Sequence, residues 1–247
     1  MECLILGCGE AFDENLPNTS ILVKSEAVVL CDCGYSAPPQ VWKAVGDPNA
    51  IDVVYISHPH ADHYFGLPAL LGRMWEDGRT KPLTVLSQPA ALARIRDLLE
   101  YGYRGLAARY QYGIDYREAG PGETLRAAGL AFDFAPSRHA VTNLAVRIEG
   151  GGKKICYSGD GMFTEEGRAL FAGADLLVHE AYCFDPSPVH ADIGSVLEMA
   201  AQAGVRRLAL VHVQRNLRRD PARIHEAIAR GPLEPATLPE PGARFDC

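Results

Sequence analysis

The sequence predicts an α/β protein in which two β-sheets pack face to face with helices outside, a four-layered αββα sandwich formed as a single domain over residues 1–247. Three observations lead there. Strand signals come in two blocks, each opening with strand-rich hairpin stretches and continuing into alternating strands and helices. No apolar run approaches the ~20 residues that a membrane-spanning helix needs. Five strands end in side chains that bind metals or move protons, and the reactive crevice of an α/β sheet lies at the carboxyl ends of its strands.

The elements follow in order. Met1-Glu2-Cys3-Leu4-Ile5-Leu6-Gly7 has an acidic residue and too short an apolar run for a signal peptide, so it reads as a first strand. Ser20–Val23 and Ala27–Cys31 continue the first block, then Val53–Ile56 and Leu83–Leu86, with helices over Pro39–Val45, His63–Leu71 and Pro89–Glu100. The second block holds Leu130–Phe134, Leu144–Ile148 and Lys154–Tyr157, with a Gly150-Gly151-Gly152 turn region in the hairpin. Leu176–Val178 and Leu208–Val211 then alternate with helices. Asp192 caps a stripe of Ile193, Val196, Leu197 and Ala200 that stops at Gly204. Asp220-Pro221 reads as an N-cap with proline at the first helical position, Ile224 and Ile228 form the stripe, and Gly231 ends it. From about residue 232, four prolines make an extended tail.

Bulk properties narrow the function. The net charge of −7 and pI near 5.6 argue against a broad basic surface for duplex or tRNA binding. The seven cysteines (Cys3, Cys8, Cys31, Cys33, Cys156, Cys183 and Cys247) are odd in number and lack a C-x-x-C pair. Most sit in or beside strands, as buried free thiols of a reducing cytoplasm would.

The densest chemistry is His58-Pro59-His60-Ala61-Asp62-His63, directly after Val53-Val54-Tyr55-Ile56. Pro59 pushes His58 out of the α region, so His58 and His60 sit on a turn leaving a strand. Asp62 is expected to cap a helix beginning near His63. One short segment would thus present imidazoles and a carboxylate from two backbone directions, enough to serve two neighbouring metal ions. The later strands run into His139, Asp160 (within Ser158-Gly159-Asp160-Gly161), His179-Glu180 and His212.

These residues resemble the metallo-β-lactamase superfamily. Asp32, in Leu30-Cys31-Asp32-Cys33-Gly34, matches its first motif, the hexapeptide its second, His139 its third, Asp160 its fourth and His212 its fifth, in order from Met1 to about Val213. The resemblance implies that His58, His60 and His139 hold one ion, that Asp62, His63 and His212 hold another, that Asp160 bridges them, and that Asp32 buttresses the loops. Two ions ~3.5–4 Å apart polarise substrate oxygens and generate hydroxide near neutral pH. An imidazole-rich set with carboxylates suits zinc first, with manganese or iron open.

The stretch Asp175-Leu176-Leu177-Val178-His179-Glu180-Ala181, with His190 before the next helix, is similar to the ribonuclease Z-like phosphodiesterase branch. By that likeness Glu180 holds His190, and His190 protonates the leaving oxygen. The chain departs from the branch in having His190-Ala191-Asp192 where His-Ser-Thr is usual. His139 and Asp160 are also too close in sequence to hold the arm with which ribonuclease Z grips tRNA. It looks more like the small phosphodiesterases of the branch, although Cys8, Cys31 and Cys33 do not match the cysteine-rich zinc site that many of those carry.

The leading expectation is therefore a cytoplasmic, dinuclear-zinc phosphodiesterase for small or nucleotide-like phosphodiesters. Asp62 would help accept the water proton, and Arg138 or Arg215 would bind the substrate phosphate. Hydrolysis of a carboxylic ester, lactone or thioester is the first alternative; tRNA 3′-processing, an iron dioxygenase relative and a metal-holding binding protein stand behind it. A homodimer stays open. Tyr101, Tyr103, Tyr110, Tyr112 and Tyr116 read either as a lid or subunit contact or as ordinary packing. His225 reads as a surface residue, and His179 as structural.

Overall fold

The computed structural model describes residues 1–247. Its strands are β1 (Glu2–Gly7), β2 (Ser20–Lys24), β3 (Val28–Cys31), β4 (Val53–Tyr55), β5 (Leu83–Ser87), β6 (Ile114–Glu118), β7 (Thr124–Ala127) and β8 (Leu130–Arg138). They continue as β9 (Asn143–Gly150), β10 (Lys153–Tyr157), β11 (Met162–Phe163), β12 (Leu176–Glu180), β13 (Leu208–Val211), β14 (Ala236–Thr237) and β15 (Arg244–Asp246). One sheet runs β15-β1-β2-β3-β4-β5-β6, the other β11-β8-β9-β10-β12-β13-β14, with β7 paired to β8. Each sheet is antiparallel where hairpins build it and parallel where helices cross over: β3 to β6 in the first, β10, β12, β13 and β14 in the second.

The period of two along the strands decides the layers. Cys3 and Ile5 face inward with Val23, Val53 and Tyr55, meeting Phe132, Phe134, Val146, Ile155 and Val178 of the second sheet in one core. Their neighbours Leu4 and Leu6 face outward with Leu30 and Val54, beneath helices α1 (Pro38–Ala44), α2 (Ala61–Tyr64), α3 (Leu67–Glu76) and α4 (Pro89–Gly102). On the other side Cys156, Leu177, Leu208 and Leu210 lie beneath α5 (Glu165–Phe171) and α6 (Ile193–Gln202). Beyond α7 (Arg215–Arg219), α8 (Ala222–Arg230) adds Ile224 to that layer. The result is the αββα sandwich.

Several local expectations change. The helix expected over His63–Leu71 is two helices, α2 and α3, separated at Phe65 and Gly66. Asp62 does not cap it: His60 is the N-cap residue, without a side-chain cap bond, and Asp62 lies inside the first turn. Asp192 does cap α6, accepting from Ser195 N–H at 2.8 Å. At α8 the N-cap residue is Pro221, and no side chain, Asp220 included, caps it. The proline-rich tail is more than an extended tail. β14 lies beside β13 and β15 beside β1, two short proline-free segments that pair along the open edges of the sheets. All seven cysteines are free, with Cys183 and Cys247 only partly buried. No helix is long and apolar enough to cross a membrane.

Candidate metal centre

Loops from both sheets meet at one end of the sandwich. The first sheet contributes Asp32 after β3 and the hexapeptide after β4; the second contributes His139 after β8, Asp160 after β10, Glu180 at the end of β12, and His212 after β13. His212 holds a left-handed backbone (φ +53°). Its N–H donates to the Cys8 carbonyl at 3.0 Å, tying the end of β13 to the end of β1. Asp32 is also left-handed (φ +58°), and such non-glycine residues persist only where surrounding structure overdetermines them.

The donors fall into two sets sharing one carboxylate. In the first, His60 Nδ1 is 2.9 Å from His58 Nε2 and 3.1 Å from His139 Nε2, while Asp160 Oδ2 stands 3.8 and 3.9 Å from the latter two. In the second, Asp62 Oδ2 is 3.1 Å from His63 Nε2 and 3.3 Å from His212 Nε2, and Asp160 Oδ2 is 3.4 Å from both. Donors bound at ~2.1 Å on a tetrahedron lie about 3.4 Å apart, so these spacings match the edges of a coordination shell.

Protonation agrees with that fit. His139 Nδ1 faces the Val189 carbonyl at 2.8 Å, so it carries the proton, and the neutral ring aims a lone pair from Nε2 at the centre. His63 likewise directs Nδ1–H to Asp32 at 2.7 Å. Burial opposes charge on this ring, but the Asp160, Asp62 and Asp32 carboxylates outweigh it and raise its pKa, so an ion bound at Nε2 would displace a proton. His63 Nε2 and Asp160 Oδ1 are buried without a hydrogen-bond partner. Such an orphan costs ~1–3 kcal/mol, and a cation at the centre would relieve the one at His63 Nε2, which lies within the second donor set. Burial works against charge on His212, yet the Asp160 and Asp62 carboxylates outweigh it and push the ring up to about 9. Burial would raise Asp62 and Asp160, but the facing imidazoles hold both well below the usual carboxylate range. His58, buried and beside His63, is driven down.

Asp32 braces the whole arrangement. Its carboxylate accepts from Ser57 N–H, Ser57 Oγ–H, His63 Nδ1–H and the Tyr157 hydroxyl, each at 2.7 Å. Asn143 shapes the Asp160 loop, accepting from Asp160 N–H at 3.1 Å and donating to the Ser158 carbonyl at 2.9 Å. Gly161 (φ +106°) allows close approach, since a Cβ there would collide with Ser137 Oγ and the Arg138 carbonyl.

Beside the donors lies a second pair. Glu180, fully buried, accepts from Gly161 and Ala191 N–H at Oε1, and its Oε2 faces His190 Nδ1 at 3.0 Å and His212 Nδ1 at 3.6 Å. The His190 ring stacks on Tyr182 with centroids 4.3 Å apart. Burial opposes a charge on His190, but Glu180 outweighs it and raises its pKa.

A cavity of about 370 Å³ opens over both groups, lined by His60, His139, His190 and His212 among others. Arg138 is exposed and outside that lining, and Arg215 turns away to Glu10 at 2.6 Å. Glu10, Phe12, Tyr35 and Tyr182 line the cavity although nothing in the sequence marked them. Only their position, just after strands β1, β3 and β12, could have done so. Of the tyrosine group, Tyr110 and Tyr112 stack at 4.9 Å and Tyr116 lies under Arg96, while Tyr101 and Tyr103 are exposed; none lines this cavity. His179 is buried between Phe163 and Phe171, and His225 is exposed.

Residues 28–213 match the beta-lactamase superfamily domain, three-quarters of the chain and every donor. The chain belongs to that superfamily. Among curated members, the Ribonuclease Z of Methanothermobacter thermautotrophicus is 26% identical, with 89% of this chain and 88% of the relative covered. The metallo-beta-lactamase fold protein YhfI of Bacillus subtilis superposes with a TM-score of 0.80 at 22% identity, over 99% of this chain and 98% of its own. Human tRNase Z, short form, gives 0.80 at 20% identity, over 100% and 99%. These two structures speak for the fold. Superfamily membership and the Ribonuclease Z relatives make this protein a ribonuclease Z-like, metal-dependent hydrolase.

Proposed function

We propose that the protein is a dinuclear metal-dependent phosphodiesterase acting on small or nucleotide-like phosphodiesters. The observation that carries this reading is the buried Glu180 carboxylate facing His190 at 3.0 Å beside two donor sets that share Asp160. His58, His60 and His139 with Asp160 would hold one ion, and Asp62, His63 and His212 with Asp160 the other. Zinc is the ion proposed, since imidazole with carboxylate suits it; manganese or iron are the alternatives. Bound there, the ions would supply Lewis acidity and lower the pKa of water.

The chain's own residues do the rest. Asp62 orients the attacking water and helps accept its proton. His190, its Nδ1–H held by Glu180 and its pKa raised by that carboxylate against the effect of burial, presents Nε2–H toward the leaving oxygen. Leaving alkoxides of diesters are strong bases, and a positioned acid contributes ~10²–10⁴-fold in rate. Once the proton is given up, Glu180 keeps the neutral ring in one orientation.

A second reading, cleavage within RNA, draws support from relatives named Ribonuclease Z. The match to the Methanothermobacter enzyme extends over 275 positions, more than the 247 residues of this chain, so that relative carries stretches without a counterpart here. Between His139 and Asp160 this chain has only β9 and β10 joined by a tight turn. That brevity and the net charge of −7 favour small substrates. A panel of phosphodiesters, lactones and thioesters on zinc- and manganese-loaded protein tests the proposal. Turnover of bis-p-nitrophenyl phosphate and a dinucleoside monophosphate is expected. Turnover of lactones or thioesters with no diester cleaved would overturn it, and one iron per chain without zinc or manganese would sink the dinuclear site.

A further inference from the structure

The cavity over the donor sets contains no lysine or arginine in its lining. Three nearby arginines are engaged, Arg215 with Glu10 at 2.6 Å, Arg218 with Glu240 at 2.8 Å, and Arg219 with Glu14, while Arg138, beside His139, is exposed and outside the lining. Apart from the metal donors, nothing there receives a second or third phosphate.

Aromatic rings take the place that cations leave. Phe12 is 75% exposed and Tyr35 50%, and both line the cavity. Large rings held in water at the edge of a site are poised for a partner with a flat apolar face. Their backbones are fixed. The Tyr35 hydroxyl donates to the Ala11 carbonyl, joining the loop after β3 to the loop after β1. Glu10, itself buried, accepts Phe12 N–H at Oε2 (2.9 Å) and Arg215 at Oε1 (2.6 Å). Phe12 is thereby pinned by a carboxylate that an arginine three residues past His212 holds in place. The Tyr35 ring is held through its hydroxyl and Phe12 through its backbone, so less freedom is lost when they stack than for residues on a loose loop.

We propose that Phe12 and Tyr35 form a stacking rim for the planar base of a nucleoside attached to a single phosphodiester, with Glu10 and Arg215 as its positioning residues. This rests on the phosphodiesterase reading and names its substrate class. A polyphosphate is disfavoured because the rim supplies no positive charge.

The test compares thymidine 5′-p-nitrophenyl phosphate with methyl p-nitrophenyl phosphate, which share a leaving group and differ in the nucleoside, sugar and base together; the Phe12 and Tyr35 variants separate the contribution of the base. Base stacking is worth about 5- to 100-fold, so wild-type kcat/KM is expected to favour the thymidine ester by at least ~10-fold. Phe12→Ala and Tyr35→Ala each lower that ratio ~5- to 20-fold, mainly through KM, and Phe12→Trp keeps it. Arg215→Ala lowers the ratio in the same direction, and Arg215→Lys restores part of it. Calorimetric binding of thymidine 5′-monophosphate against methyl phosphate gives a second readout, with the same selective loss expected. A wild-type ratio near one, or a ratio untouched by Phe12→Ala and Tyr35→Ala, overturns the rim while leaving the phosphodiesterase reading standing. Rim-dependent binding of the nucleotide without turnover of either ester overturns that reading and leaves the rim.

Discussion

Replacing Glu180 by glutamine keeps the shape of a fully buried side chain and removes its charge. The amide oxygen can still accept from Gly161 and Ala191 N–H, so the loop holding His190 keeps its anchor. What changes is the face toward His190 Nδ1 at 3.0 Å, where a carboxylate gives way to a neutral amide. Burial, which already opposes charge on that ring, is then unopposed by Glu180. A hydrogen bond to a charged group is worth ~1.5–3 kcal/mol, and losing it lowers the His190 pKa. An acid with a raised pKa is active below that pKa and lost as pH rises through it. The alkaline limb of the rate profile should therefore move to lower pH. On a dinucleoside monophosphate, whose alkoxide needs the proton, Glu180→Gln should cost ~10²–10³ in kcat/KM; on bis-p-nitrophenyl phosphate, whose phenolate leaves unaided, less than ~10-fold. Rate profiles on both substrates, with metal content measured in parallel, decide it. Equal losses on both at unchanged metal content, or an unmoved alkaline limb, would refute the acid role.

Other consequences are as direct. Because His212 in the ion-free protein is pushed up to about 9 by Asp160 and Asp62 against the effect of burial, ions must displace its proton. Zinc affinity should then drop at least about tenfold per pH unit below that value, as read by chelator competition; a flat profile between pH 6 and 8 contradicts it. Asp32→Asn leaves four buried donors facing one carbonyl oxygen and an amide, so it should cost ~3 kcal/mol in urea unfolding and 10–100-fold in metal affinity. Unchanged metal affinity would show that Asp32 does not brace the ligands. In Gly34→Ala the new Cβ would lie far inside van der Waals contact distance of the Asp62 carbonyl oxygen, and backbone cannot move aside cheaply. A loss of ~1–3 kcal/mol and reduced metal content are expected, and calorimetry showing an unaltered Tm would rule out that contact as tight.

Much of this molecule could be read locally. The alternation in Cys3-Leu4-Ile5-Leu6 and the strand-end histidines depend on near neighbours, as does the Asp192 cap, and signals of that kind survive in a sequence. Asp62 looked like a cap for the same reason, since an Asp before an apolar stretch usually is one; its carboxylate instead faces His212, 150 residues away. Arg215 offered a free charge on paper and is paired with Glu10 across 205 residues. Glu10, Phe12 and Tyr35 sit in loops with no periodicity, so only the tertiary meeting of the loops after β1, β3 and β13 reveals their shared cavity. The tail prolines suppressed a strand signal that the open edges of both sheets then supplied.

Each donor set draws two residues from either half of the chain: His58 and His60 against His139 and Asp160, Asp62 and His63 against Asp160 and His212. During synthesis the amino-terminal half emerges with only half a grip on any ion, and two imidazoles on a loose turn hold divalent metals weakly. Tight capture waits until the second sheet has docked and Tyr157 has reached Asp32. A centre divided in this way would load fully only once both sheets are in place, so occupancy would report that the sandwich has closed.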